Sequence, residues 1–279
     1  MTAALVIGAR SQVGWFLLPL LAEAGLAPLA LSRSAPAAAD APRATWLRGA
    51  LPLSPPDPPP LRHVFSAGPL DALARWLPRA PLLPDARVLA LSSMSAASKA
   101  HSPVAAERAL AARLCAAEEA LAAACARHGI GWTILRPTLI YGAGRDRSLT
   151  PLVRAARRTR LFPLPAGRGL RQPVHAADVA RALLAAALRA RPANAVLPFG
   201  GGERLSVAQM FARVRASLPF ATLGLPLPRP LLRVAALHPA LRGPVLRLDA
   251  DLVADNGAAL ALLDVTPRAF APDARCWGL

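Results

Sequence analysis

Short apolar runs alternate with longer amphipathic stretches through the first half of the chain. The runs at 3–7, 28–31, 45–47, 63–66, 87–91 and 132–135 are continuous enough to be strands covered on both faces. Between them, 15–24 reads as a helix stopped by Gly25, and 103–128 as a long helix stopped by Gly129. Strands separated by helices at this spacing predict an α/β fold with a doubly wound parallel sheet. The proline-rich stretch 51–60 predicts an exposed loop. After about residue 141 the alternation weakens. A basic helix is predicted over 151–160, a loop over 163–173, a helix over 177–189, a short strand near 195–199 and a helix over 207–217. This predicts a first domain over 1–145 and a smaller substrate lobe over 146–279, with the strand near 195–199 a candidate to rejoin the main sheet.

Composition refines this picture in three ways. At 279 residues and 54% hydrophobic, the chain can bury one large core or two modest ones. Its net charge of +17 raises nucleic-acid binding as a reading, but Lys99 is the only lysine and the arginines are spread through Ala-, Pro- and Leu-rich sequence. The densest cluster, Arg154, Arg157, Arg158 and Arg160, has no interleaved aromatic ladder, so no nucleic-acid partner is expected. A phosphate-bearing small ligand suits guanidinium groups better. Cys115, Cys125 and Cys276 have neither CxxC nor His-paired spacing, which predicts no metal site and no disulfide framework, and fits a reducing, cytoplasmic setting. Neither a signal peptide nor a transmembrane segment is expected. The very apolar stretch 219–248, punctuated by prolines and arginines, reads as buried core or a greasy substrate wall ahead of membrane contact.

The chemistry begins at the first strand, which runs into Gly8-Ala9-Arg10-Ser11-Gln12-Val13-Gly14 and then a helix. In that context the backbone N–H groups and positive end of the helix suit a pyrophosphate. Gly8, Arg10, Ser11, Gln12, Val13 and Gly14 are therefore candidate cofactor residues of a Rossmann-type domain. Ser11 stands where the usual fingerprint has its middle glycine and adds a side chain close to the phosphates. After the second strand comes Leu31-Ser32-Arg33-Ser34. An arginine in place of an acid there favours the 2′-phosphate of NADP over NAD, with NAD the alternative.

Further motifs carry a family resemblance. Ala67-Gly68 follows the fourth strand, Ser92-Ser93 the fifth, LRPTLIYG occupies 135–142 and RQPVHAADVA occupies 171–180. With the glycine loop, these blocks make the chain resemble the NAD-dependent epimerase/dehydratase family of extended short-chain dehydrogenases over nearly its whole length. The resemblance implies NAD(P) bound across the strand ends, with Ala67, Gly68, Ser92 and Pro137 beside it. It implies a small-molecule substrate, often a nucleotide-linked sugar, near Tyr141, Arg171 and His175. A homodimer is a further expectation. Where relatives often carry an acid before a leucine at the adenine, this chain has Ala50-Leu51.

The departure lies in the acid–base group. Relatives use a tyrosinate whose pKa is lowered by a lysine four residues later, because a phenol near pKa 10 is otherwise a poor base. This chain has one tyrosine, Tyr141, inside LRPTLIYG, and its lysine lies far upstream. Aligning Glu118 with the acid that follows the motif puts Leu110 and Leu114 at the tyrosine and lysine positions, and Met94 near the usual Ser/Thr. What remains is the polar loop 92–101, whose Ser93, Ser95, Lys99 and His101 are the candidate proton-transfer residues; a capped, solvated loop explains each of them singly as well. The expected activity is that of an NAD(P)-dependent oxidoreductase or epimerase, and the alternative is a catalytically silent NADP-binding sensor or assembly protein.

Overall fold

A computed structural model describes residues 2–34, 44–52 and 57–279. In chain order the elements begin with β1 (Thr2–Ile7), α1 (Gln12–Glu23), β2 (Leu26–Ser32), β3 (Thr45–Arg48), β4 (Leu61–Ser66), α2 (Leu70–Trp76) and β5 (Leu82–Leu91). Then come α3 (Ser95–Ser98), α4 (Ala105–Arg127), β6 (Gly131–Pro137), β7 (Ile140–Tyr141), α5 (Thr150–Thr159), β8 (Leu161–Pro165), β9 (Leu170–Arg171) and β10 (Val174–His175). The chain closes with α6 (Ala176–Leu188), β11 (Ala195–Phe199), β12 (Leu205–Ser206), α7 (Val207–Ala216), β13 (Leu223–Leu227), α8 (Arg229–Ala235), α9 (Pro239–Arg247) and α10 (Gly257–Leu263). No described helix is long and apolar enough to cross a membrane.

The chain forms two compact units. The first comprises Met1–Pro137, Ala177–Phe199 and Asn256–Thr266. Its seven strands lie in the order β11-β6-β5-β4-β1-β2-β3, and every pairing is parallel. The strands were legible because their apolar runs are buried: Leu5, Val64, Val88 and Ile134 are sealed from solvent. On α1 the buried Val13, Leu17, Leu18 and Leu21 recur at helical spacing. Successive strands step outward from β1 to β2 and β3, and the chain then crosses to β4 on the other side of β1. That crossing leaves a crevice at the carboxyl ends of β1 and β4, the place where open parallel sheets bind their ligands.

The second unit comprises Thr138–Ala176, Gly200–Asp255 and Pro267–Leu279. Its core gathers Tyr141, Val153, Phe162, Met210, Val214, Phe270 and Trp277. Two expectations differ from the structure here. The loop predicted over 163–173 contains β8 and β9, because the prolines of Leu161–Pro165 are tolerated in a strand that pairs only with β13. The stretch 219–248, expected as core or substrate wall, instead forms β13, α8 and α9 with most of its large apolar side chains exposed. Prolines at 228 and 230 stand at the start of α8 and Pro239 at the start of α9, and they divide the stretch into pieces too short to enclose a core of their own. Of the proline-rich loop predicted over 51–60, residues 53–56 lie outside those described.

Candidate cofactor site

The glycine turn is built by close backbone approach. Gly8 sits at φ 76°, and a Cβ there would lie 3.0 Å from the Ala67 carbonyl carbon, so a side chain meets both strain and a neighbouring strand end. A Cβ on Gly14 would come within 2.3 Å of the Ala9 carbonyl oxygen, so only glycine lets α1 start this close to the turn. Ser11, which replaces the middle glycine, has a structural duty: its hydroxyl accepts from the Gly14 N–H at 3.1 Å as the N-cap of α1. Val13 is buried in the packing of α1. Among the described residues, Gln12 Oε1 is buried without a hydrogen-bond partner. Such an orphaned acceptor at the start of the helix suits a ligand that brings a donor, as a ribose hydroxyl would.

Beyond β2, Arg10 reaches out of the turn to donate to Ser34 Oγ at 2.8 Å, beside the exposed Arg33. Two arginines thus flank the end of β2. On the other side of β1, the Ala67 N–H donates to the Ile7 carbonyl at 2.9 Å, and a Cβ on Gly68 would press on Ile7 at 3.0 Å.

The loop after β5 is fastened to the end of β6. The Ser92 N–H donates to the Leu135 carbonyl at 2.8 Å and the Met94 N–H to the Pro137 carbonyl at 2.9 Å. Ser93 Oγ accepts from the Ser95 N–H at 3.1 Å at the head of α3. Lys99 Nζ lies 3.5 Å from Glu107 on α4, and Glu107 also accepts from the Ser102 hydroxyl at 2.7 Å. His101 is exposed. Leu110 and Leu114 line an apolar groove of about 730 Å³ between α2 and α4, with Leu70 and Ala117.

Sequence reasoning used Glu118 only as an alignment anchor, and the structure places it at the centre of this region. Its buried carboxylate accepts from the Ser92 hydroxyl and from Arg136 Nε at 2.9 Å, with a second bond from Arg136 Nη2. The bonds to Glu118 hold the Arg136 guanidinium above its usual pKa. Arg136 also reaches Cys115 Sγ at 3.8 Å. The available signal was an acid within the apolar middle of α4 and an arginine ending an apolar strand; two charges in buried positions call for each other.

The candidates in the second unit are engaged in its own packing. Tyr141 is buried, edge-on to His175 at 5.1 Å and to Phe270 at 4.8 Å. His175 Nε2 lies 3.9 Å from Cys276 Sγ, and its ring fills the space a Cβ on Gly142 would need. Arg171 donates to the carbonyls of Leu170 at 2.8 Å, Ala250 at 2.7 Å and Arg247, and its burial pulls its pKa down. No His/Cys/Asp/Glu group suited to a metal ion occurs among the described residues.

Residues 72–197 match the NAD dependent epimerase/dehydratase family. No curated protein sequence matches the chain. Among solved structures, MoeE5 in complex with UDP-glucose and NAD is 22% identical, with 96% of this chain and 94% of that one covered at a TM-score of 0.71. The UDP-N-acetylglucosamine 4-epimerase of Bacillus cereus is 13% identical, with 96% and 91% covered at 0.68. TunA, an NAD-dependent NDP-hexosamine 5,6-dehydratase of tunicamycin biosynthesis, is 19% identical, with 97% and 93% covered at 0.70. At these identities the likeness to solved structures is one of fold, and the family match covers the segment from α2 to β11.

Proposed function

We propose that this chain, which carries the NAD-dependent epimerase/dehydratase domain over residues 72–197, is an NAD(P)-dependent enzyme acting on a nucleotide-linked sugar or a related small molecule. The observation that carries the reading is the Gly8 turn, closed against Ala67 at the crossing point of the sheet and adjoining the orphaned Gln12 acceptor. These residues fit a dinucleotide. The turn and the N-terminus of α1 would hold its pyrophosphate, Ala67 and Gly68 would border a ribose, and Ser92 and Pro137 would border the nicotinamide. Arg33 with Arg10 would hold a 2′-phosphate, which makes NADP the preferred form. When bound, the nicotinamide supplies hydride acceptance and return at a sugar carbon.

This chain's own residues must orient the substrate and move a proton. Glu118 fixes Arg136 and the Ser92 hydroxyl, and so fixes the loop that follows β5. Proton movement is assigned to that loop, to Ser93 and Ser95 with Lys99 and His101. Tyr141, Arg171 and His175 act on substrate through the framework of the second unit, since their side chains are engaged within it.

The test is a fluorescence titration with NADPH and NADH, followed by incubation with a panel of nucleotide sugars that includes UDP-glucose and UDP-N-acetylglucosamine. Stoichiometric binding together with turnover of any member is the expected result. Failure to bind either dinucleotide at millimolar concentration overturns the reading. Binding without turnover selects the alternative, a silent NADP-binding sensor or assembly protein. That alternative is favoured by one observation: the only lysine is already held by Glu107.

A further inference from the structure

Seven of the eleven large apolar side chains exposed among the described residues fall within 223–246. Leu223 and Leu225 stand out from β13, at 68% and 46% exposure. On α8 and the turn after it, Leu231, Val234 and Leu237 follow one another at a spacing of three, the last of them 82% exposed. Leu241 and Leu246 add to the surface from α9. Leu232 of α8 and Val245 of α9 are only half-buried and border one small cavity of about 70 Å³ with Leu248. Not one residue of α8 is buried. These outward side chains are therefore surplus to the packing of the unit that carries them, and exposed apolar side chains concentrated in so short a stretch mark a candidate interaction surface.

Charge decides which partner fits. Between residues 219 and 248 there are four arginines, Arg229, Arg233, Arg242 and Arg247, and no acidic residue. Arg229 is paired with Asp249 at 2.8 Å, just beyond the segment, while Arg233 and Arg242 are exposed. A second copy docked face to face through this surface would set arginines against arginines. Nucleic acid would complement the charge and leave the leucines in water. An anionic bilayer satisfies both, since apolar side chains enter the acyl boundary and guanidinium groups stay with the headgroup phosphates.

We infer that β13, α8 and α9 form a docking surface for an anionic lipid bilayer, on which this chain sits as a peripheral protein. The contact needs no helix that spans the membrane, and the chain has none among the described residues. Its residues belong to the second unit, and those of the cofactor site to the first.

The 279-residue chain should sediment with sucrose-loaded vesicles of phosphatidylcholine and phosphatidylglycerol. It should sediment far less with phosphatidylcholine alone, or with the mixed vesicles at high salt. Each arginine brought to an anionic surface strengthens binding about fivefold, so Arg233→Gln with Arg242→Gln should weaken it roughly 25-fold. Leu231→Ser with Leu237→Ser leaves the charge unchanged and alters only exposed positions. It should weaken binding by about tenfold or more, with the circular dichroism spectrum retained. Should the serine variant bind as tightly as the unmodified protein, the overall charge would be responsible and the surface would lose its role. Two other results overturn the inference: no sedimentation with any vesicle, or a dimer in sedimentation velocity without lipid that the serine variant dissolves.

Discussion

Replacing Glu118 by leucine removes the group on which the end of β6 and the loop after β5 converge. Its carboxylate is 4% exposed and accepts from the Ser92 hydroxyl and from two nitrogens of Arg136. The variant leaves a guanidinium, itself only 22% exposed, without its counter-charge. Breaking a buried pair from one side costs about 3–5 kcal/mol. The partial exposure of Arg136 lets water compensate part of this, and the orphaned Ser92 hydroxyl adds back about 1 kcal/mol. The expected loss is about 3–4 kcal/mol, or roughly 6–15 °C in Tm for a domain of this size. Thermal denaturation followed by circular dichroism measures it. The double variant Glu118→Leu, Arg136→Leu removes both charges and should lose about 2 kcal/mol less than the sum of the single variants. A shift in Tm below about 2 °C for Glu118→Leu, or strict additivity in the double variant, would refute the view that this pair holds the two strand ends together.

Three further outcomes are expected. Arg33→Asp should reduce or reverse a preference for NADPH over NADH in a fluorescence titration; equal affinities in the unmodified protein would remove Arg33 from its proposed role. Lys99→Met or His101→Ala should lower turnover by roughly 10²–10⁴-fold while leaving NADPH affinity nearly unchanged, as measured by steady-state rates beside the same titration. His63 should make stability depend on pH: burial first, and then the nearby Arg87 and Arg62, hold its pKa below 6.5. The unfolded chain therefore binds the proton more readily, so stability is complete above about pH 7 and falls as pH drops below 6.5. Tm values at about pH 7.5 and pH 5.5 should differ less in His63→Phe than in the unmodified protein, and an equal difference in both would exclude His63 as the source.

The central sheet was legible because strands buried on both faces must be written as apolar runs, and Ala195–Phe199 was visible for the same reason. The same signal misled over 219–248. Leucines on α8 and α9 look the same in sequence whether they meet a core or solvent, and what decides is whether a second apolar layer exists to cover them. Ser11 shows a different limit. Read as a missing glycine it is a defect of the phosphate loop; with its hydroxyl on the Gly14 N–H and its own N–H donating to the Gly8 carbonyl at 2.8 Å, it is the cap that closes the turn and starts α1. Chemistry was hardest to read because its partners meet only through the fold. Ser92, Cys115, Glu118 and Arg136 come from two strand ends and one helix, and no spacing along the chain brings them to notice as a group. Lys99 drew attention because it is the only lysine, but rarity along a sequence is not proximity in space. Its ammonium meets Glu107 at 3.5 Å, so a proton-transfer role requires that pair to open or to relay through the serines of the same loop. That requirement gives Lys99→Met its value. A loop merely pinned by this ion pair would lose stability when the lysine is removed, whereas a working relay would lose turnover at unchanged cofactor affinity.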